Sequence, residues 1–305
     1  MGALGEYALT PVQAAAPVAS WRWRDYVTLT KPRIMSLLVL TAACALIGAS
    51  GGNPSLVRLL ALVIGGGLAC GSASALNHVL DRDIDRVMGE RTASRPVAAG
   101  RVSPRSAVVF ATLLAFLSFA IMVAFDNLLA ALLALAGGAF YVVIYTLGLK
   151  RRTSENIVIG GAAGAFPVLS GWAAAGGHLG LGAWYLFAIV LVWTPPHFWS
   201  LAVLLEDHYR AANVPMLPVV KGLQTTSRRV LLYTLLTLAV TLLPGVTGTF
   251  GTVYLVSAGL LGAIFLGLAW RLWRSPSRER AAVAFHYSLL YLALLFVGVA
   301  VSAAV

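Results

Sequence analysis

Apolar runs of helical membrane length alternate with short polar segments along nearly the whole chain. A hydrocarbon core is crossed by about 20 apolar residues in a helix. On that basis the pattern predicts nine spans, near 34–50, 55–80, 105–124, 128–148, 156–175, 181–205, 227–246, 248–270 and 282–303. The first is short. An earlier start at Tyr26 would put Lys31-Pro32-Arg33 in its first turns, where proline fits a helix.

The polar segments test this count. Arg22 to Arg33, 82–105, Lys150-Arg151-Arg152, 210–229 and 271–280 fall on one side and hold 21 of the 22 basic residues. Arg58 alone falls on the other. Positive charge stays in the cytoplasm, which predicts a cytoplasmic N-terminus and an external C-terminus. The expected fold is therefore all-α and polytopic, with one intramembrane domain over 21–305. Residues 1–20 carry no Lys or Arg and no long apolar core, and are expected to form a mobile tail. Trp21-Arg-Trp23-Arg24 reads as an interfacial anchor.

Composition agrees. Apolar residues make up 59% of the chain and charged residues 11%, against about 25% charged in soluble domains. The net charge of +11 does not point to nucleic acid, because the basic residues are divided among membrane loops. Cys44 and Cys70 lie in apolar stretches without disulfide or metal-cluster spacing. No secretory or basic transit peptide is legible, which favours a bacterial cell membrane.

Charge is concentrated where the second span ends. Residues 81–105 hold Asp81, Asp83, Asp85 and Glu90 against six arginines. On a helix Asn77, Asp81 and Asp85 fall within about 80° of one another over two turns. Two carboxylates and an amide oxygen in a row are hard oxygen ligands suited to Mg²⁺. The arginines that follow offer planar forks for phosphate. The pattern reads as a metal–diphosphate site or as a solvated loop of surface ion pairs, and spacing alone does not choose.

The sixth span also ends in acidic sequence, Glu206-Asp207-His208-Tyr209-Arg210. That hints at two four-helix halves and a ninth helix, with one acidic end from each half meeting at a shared cavity. His197, in Trp193-Thr-Pro-Pro196-His197-Phe-Trp199, is an intramembrane ionisable group; a structural and a functional role stand level on its chemistry. His286 reads as interfacial and His178 as solvated. The small-residue runs Gly65-Gly66-Gly67 and Gly160-Gly161 are expected to serve helix packing.

The residues then resemble a known family. Asn77, Asp81 and Asp85 match the Asn-x-x-x-Asp-x-x-x-Asp mark of the intramembrane UbiA-type prenyltransferases. Longer marks resemble the branch that farnesylates haem. They include Leu29-Thr30-Lys31-Pro32-Arg33, Arg91-Thr92, Arg95-Pro96, Gly100-Arg101 and Tyr145-Thr146. Others are Leu149 to Thr153, Asn156 to Gly161, Trp193 to Trp199 and Val214 to Val220. One departure stands out: relatives often place an acid just before the tyrosine of the second acidic end, where this chain has His208.

This resemblance implies transfer of a farnesyl group from farnesyl diphosphate to a vinyl group of haem B (a substrate here, not a cofactor), giving haem O. It implies Mg²⁺ held by Asp81 and Asp85, helped by Asn77 and by Asp207, with His208 a further metal or haem contact. Arg91, Arg95, Lys150, Arg151 and Arg152 become diphosphate partners, with Lys31 and Arg33 beside them. Tyr145, Trp172, Trp193 and Phe198 become cavity walls, with ordinary core packing as the favoured alternative, and His197 and Tyr209 substrate contacts. A haem A synthase or a terminal oxidase assembly pathway is the implied downstream partner. The rival readings are a UbiA-type aromatic-ring polyprenyltransferase and, from another class, a transporter of an acidic solute.

Overall fold

In the computed structural model, which describes residues 22–305, the expected tail over 1–20 and Trp21 lie outside the described residues. Every regular element described is helical. A short helix α1 (Trp23–Leu29) precedes the first span, α2 (Pro32–Ala49). The second, α3 (Leu56–Leu80), is followed by two short helices, α4 (Arg82–Val87) and α5 (Glu90–Ala93). Then come α6 (Pro104–Phe125) and α7 (Leu128–Ala139), the latter continuing as a π-helical segment over Phe140–Leu149. Next are α8 (Asn156–Gly160), α9 (Ala162–Gly176), α10 (Leu181–Leu204) and the short α11 (Glu206–Ala211). Last come α12 (Leu217–Val246), α13 (Thr252–Arg274) and α14 (Arg278–Ala304). Among the described residues nine segments are long and apolar enough to cross a membrane, and they are the nine that the sequence predicts. The protein is a multi-pass helical membrane protein.

Successive spans pack side by side, and α14 returns to α2, so the bundle closes on itself. Cross-contacts of α2 with α9 and of α10 with α14 put these four helices at its centre. Small residues permit this. A Cβ on Gly171 would lie 2.0 Å from the Ala42 carbonyl oxygen and 2.9 Å from its Cα. Here α9 and α2 therefore touch backbone to backbone, which only glycine permits.

One boundary differs from the sequence reading and two spans carry a local irregularity, each for a local reason. α12 starts ten residues before the predicted 227, because Leu217 and Pro218 nucleate a buried turn ahead of a break at Gly222 (φ 75°, ψ 171°). The polar residues Lys221, Gln224, Arg228 and Arg229 hide this turn from a hydropathy count. The fourth span ends in π-helix, where Thr146 Oγ1 donates to the Tyr141 carbonyl five residues back (2.9 Å). Pro195 and Pro196 do not break α10. The Thr237 hydroxyl donates to the Val192 carbonyl at 3.0 Å, satisfying the group that Pro196, lacking an N–H, leaves open four residues back.

Away from the arginine-rich end, Arg58 donates to the Ala175 carbonyl. The nearby Asp126 carboxyl oxygens are both buried and unpaired. Burial pushes the Asp126 pKa up to about 7, against a smaller opposing pull from Arg58. A carboxyl raised on folding contributes stability that is lost as pH rises through its folded pKa. Asp126→Asn is therefore expected to raise the melting temperature at pH 8 and leave it unchanged at pH 4. Differential scanning fluorimetry at the two pH values checks this.

Candidate active site

The site forms where α3 gives way to α4. Asp81 sits at the break (φ −93°, ψ 5°), yet the backbone bonds Asp81 N–H to Asn77 O (2.9 Å) and Asp85 N–H to Asp81 O (2.8 Å) continue the i, i+4 register. The three oxygen-bearing side chains thus stay on one face. All are buried, Asn77 at 3%, Asp81 at 0% and Asp85 at 1% exposure. Asp83, two residues from each aspartate, points outward. It is gripped by both Arg151 guanidinium nitrogens at 2.7 Å, and this pairing pulls its pKa down to about 2. The solvated-ion-pair reading therefore describes Asp83, and not its neighbours.

Buried carboxylates need partners, and distant elements supply them. Lys150, just past the π-helical segment, lies 2.5 Å from Asp81 Oδ2, which also accepts from Asn77 Nδ2 at 2.7 Å. Arg95, after α5, lies 2.5 Å from Asp85 Oδ1. Lys31, before α2, donates to Asn77 Oδ1 at 3.0 Å. Burial, then repulsion by Arg95 and Lys150, lowers the Lys31 pKa to about 7. Burial also holds the Asp85 carboxyl above its ordinary range despite Arg95.

Each buried carboxylate keeps one oxygen in reserve. Asp81 Oδ1 and Asp85 Oδ2 are buried without a hydrogen-bond partner; Arg151 lies 3.9 Å from the former. Leaving such oxygens unpaired costs about 1–3 kcal/mol each, more when charged. One spare hard oxygen on each of two carboxylates fits a divalent cation such as Mg²⁺.

The other predicted residues divide. Tyr209 is buried, with Asp81 and Arg95 close enough to act on its hydroxyl electrostatically, and burial pushes its pKa up to about 12. Tyr145 is buried and stacks on Tyr141, centroids 5.6 Å apart. Arg33 and Arg152 are exposed, and nothing is described of the Arg91 side chain. The structure does not bring Asp207 to Asp81 and Asp85: it is 70% exposed and pairs with Arg278 at 2.7 Å. Glu206 pairs with Arg210 along α11. Among the described residues no three His, Cys, Asp or Glu side chains converge as a metal site. His208 instead packs over Gly89, where a Cβ would lie 2.6 Å from its ring. The two acidic ends meet where this imidazole covers the glycine and where Tyr209 clusters with Ile84 and Met88.

Sequence reasoning missed three contributors. Thr146 Oγ1 lies 3.4 Å from Asn77 Nδ2, placed there by the π-helical winding. His78, 1% exposed with both ring nitrogens unpaired, adjoins Asn77. Ser288 holds His197 at 2.7 Å from a helix 91 residues away, which no local pattern reveals. Deeper in the bundle, a small apolar cleft is lined by Leu38, Ala42, Gly66, Cys70 and Pro167, among others. Gly66 and Cys70 lie on the same side of α3 as Asn77.

Comparison with known proteins gives the family. The family model for the UbiA prenyltransferase family matches residues 38–298. The chain belongs to that family. A relative from Gloeobacter violaceus, named protoheme IX farnesyltransferase, is 50% identical over 97% of both chains. One from Deinococcus radiodurans with the same name is 45% identical over 97% of this chain and 98% of the relative. One from Thermus thermophilus, again so named, is 53% identical over 93% of this chain and 46% of the relative. The chain thus spans about half the length of that relative. Among solved structures, a digeranylgeranylglyceryl phosphate synthase matches with TM-score 0.75 at 18% identity, over 92% of this chain and 98% of that one. A UbiA homolog from Archaeoglobus fulgidus bound to GPP and Mg²⁺ matches with TM-score 0.67 at 16% identity, over 90% and 99%. These two likenesses establish the UbiA fold.

Proposed function

We propose that this chain transfers a farnesyl group from farnesyl diphosphate to a vinyl group of haem B, releasing diphosphate and forming haem O. The observation that carries the reading is the pair of spare buried oxygens on Asp81 and Asp85, each beside a cation. The names of the curated relatives support the choice of substrates. The proposed location is the cell membrane, and the charge asymmetry of the loops supports a cytoplasmic arginine-rich end.

Asp81 and Asp85, with Asn77 beside them, would hold Mg²⁺. Bound there, it would supply positive charge to the departing diphosphate. Lys150, Arg95 and Lys31 then act as exchangeable partners. In the unliganded site Lys150 and Arg95 neutralise the carboxylates while Lys31 rests on Asn77, and on substrate binding all three turn to the diphosphate oxygens. The farnesyl tail runs up α3 into the cleft at Gly66 and Cys70. As the C1–O bond breaks, C1 becomes allylic and cationic. The haem vinyl group attacks it, and water adds to the resulting cation with loss of a proton, leaving a hydroxyethylfarnesyl group. Tyr145 and Tyr209, buried near the reacting end, exclude earlier water.

In this reading His197 takes the haem. Its ring stacks between Trp193 (4.4 Å) and Phe285 (4.9 Å). The Ser288 hydroxyl donates to the Phe285 carbonyl at 2.6 Å, so its oxygen accepts from His197 Nδ1–H. Nε2 then carries the lone pair, the form that ligates iron. His197→Leu is expected to lower haem O formation about a hundredfold, with the KM for farnesyl diphosphate unchanged. Steady-state kinetics with each substrate varied in turn checks this.

The overall reading is tested by incubating purified protein in detergent with haem B, farnesyl diphosphate and Mg²⁺, followed by mass spectrometry. A haem product heavier by farnesyl plus the elements of water supports it. Diphosphate release independent of haem, with an aromatic acid prenylated instead, would move the chain to the ring-prenylating branch.

A further inference from the structure

The outer face of α14 carries a second histidine that this chemistry does not use. Its exposed stripe runs Val283, Leu290, Leu294, Val297 and Val301, the aliphatic surface expected against lipid. His286 interrupts it, exposed at helical spacing between Val283 and Leu290. It lies eight residues into the helix, about 12 Å from its start. An imidazole at such a place is costly without a role. Its Nδ1 lies 2.8 Å from the Ala282 carbonyl oxygen. A carbonyl only accepts, so Nδ1 is the protonated nitrogen and Nε2 bears the lone pair, as in His197.

A line of rings connects the two histidines. Phe285 stacks on His197 at 4.9 Å and 27°, and meets His286 edge-on at 5.1 Å and 72°. His197 lies seven residues before the end of α10, about 10 Å from it, at nearly the depth of His286. Two imidazoles with fixed tautomers and available Nε2 atoms thus flank one phenyl ring, one inside the bundle and one on its lipid face.

We propose that His286 is an outer docking ligand that takes an iron porphyrin from the bilayer and passes it, across Phe285, to His197. This rests on the reading of haem as acceptor. The transfer is a ligand exchange: the iron–Nε2 bond to His286 breaks as that to His197 forms, and the iron keeps its oxidation state. Phe285 offers the porphyrin a stacking surface during the exchange.

Ferric haem B added to full-length protein in lipid nanodiscs, followed in the Soret band by stopped flow, tests this. His286→Leu should slow haem capture about fivefold or more and raise the KM for haem by a larger factor than it lowers kcat. His197→Leu should still give a histidine-ligated spectrum, and only the double variant should lose it. Being exposed, His286 can be replaced without opening the core, and unchanged size-exclusion elution verifies this. Wild-type capture rate in His286→Leu, or complete loss of histidine ligation in His197→Leu alone, would overturn the proposal. Wild-type protein that neither ligates nor farnesylates haem would overturn the acceptor reading, and this proposal with it.

Discussion

Asp81→Asn should lower prenyl transfer about a thousandfold, or about 4 kcal/mol of barrier, in a protein that still folds. Asn preserves the shape and one acceptor for Asn77 and Lys150, but removes the charge that a bound cation requires. The folded state also loses an ion pair. Lys150, 12% exposed, would face a neutral amide. Breaking a buried pair costs roughly 3–5 kcal/mol, and Lys150 can reduce this by turning outward or shedding its proton. Part of the loss in melting temperature should thus be recoverable, whereas the loss of turnover should not. Asp85→Asn should behave alike. Asp83→Asn supplies the contrast: its side chain is 62% exposed and held by Arg151, so turnover should change less than about fivefold. Product formation at saturating substrates and thermal melts of the three variants decide the matter. Equal effects at all three positions would mean that burial does not separate the functional aspartates.

Gly171→Val should abolish recovery of folded protein. The Cβ would have to occupy the position of the Ala42 carbonyl, a backbone group that cannot rotate away. The bundle could accommodate it only by moving α2 from α9. Overpacking commonly costs about 1–3 kcal/mol, and separating two central helices should cost more. Gly164→Ala, on the same helix, meets only Leu38 at 3.9 Å, an ordinary contact, and should elute normally. Fluorescence-detected size exclusion of both variants distinguishes a constraint at one residue from a general intolerance of α9.

The nine spans were legible because bilayer thickness fixes helix length and because basic residues recur at alternate loops. Asn77, Asp81 and Asp85 were legible because a helix carries i, i+4, i+8 positions on one face, and the chain keeps that register through the break at Asp81. What the sequence could not show was partner choice. Asp81, Asp83 and Asp85 look alike in the chain. Their difference comes from Lys150, Arg151 and Arg95, and two of these lie about 70 residues away. The same limit applies at the second acidic end. Glu206, Asp207 and His208 occupy successive positions of a short helix, so one turn directs them to Arg210, Arg278 and Gly89 respectively. The family pattern that points to Asp207 carries no information about that direction. His197 was visible as an anomaly, but its tautomer needed Ser288 from the last helix.

Binding of Mn²⁺, a paramagnetic substitute for Mg²⁺, in the presence of a non-ionising farnesyl thiodiphosphate tests the central claim most directly. Electron paramagnetic resonance should show the ion immobilised in wild-type protein and in Asp83→Asn, and free in Asp81→Asn and Asp85→Asn. Immobilised Mn²⁺ in either of the last two variants, at wild-type affinity, would contradict the account.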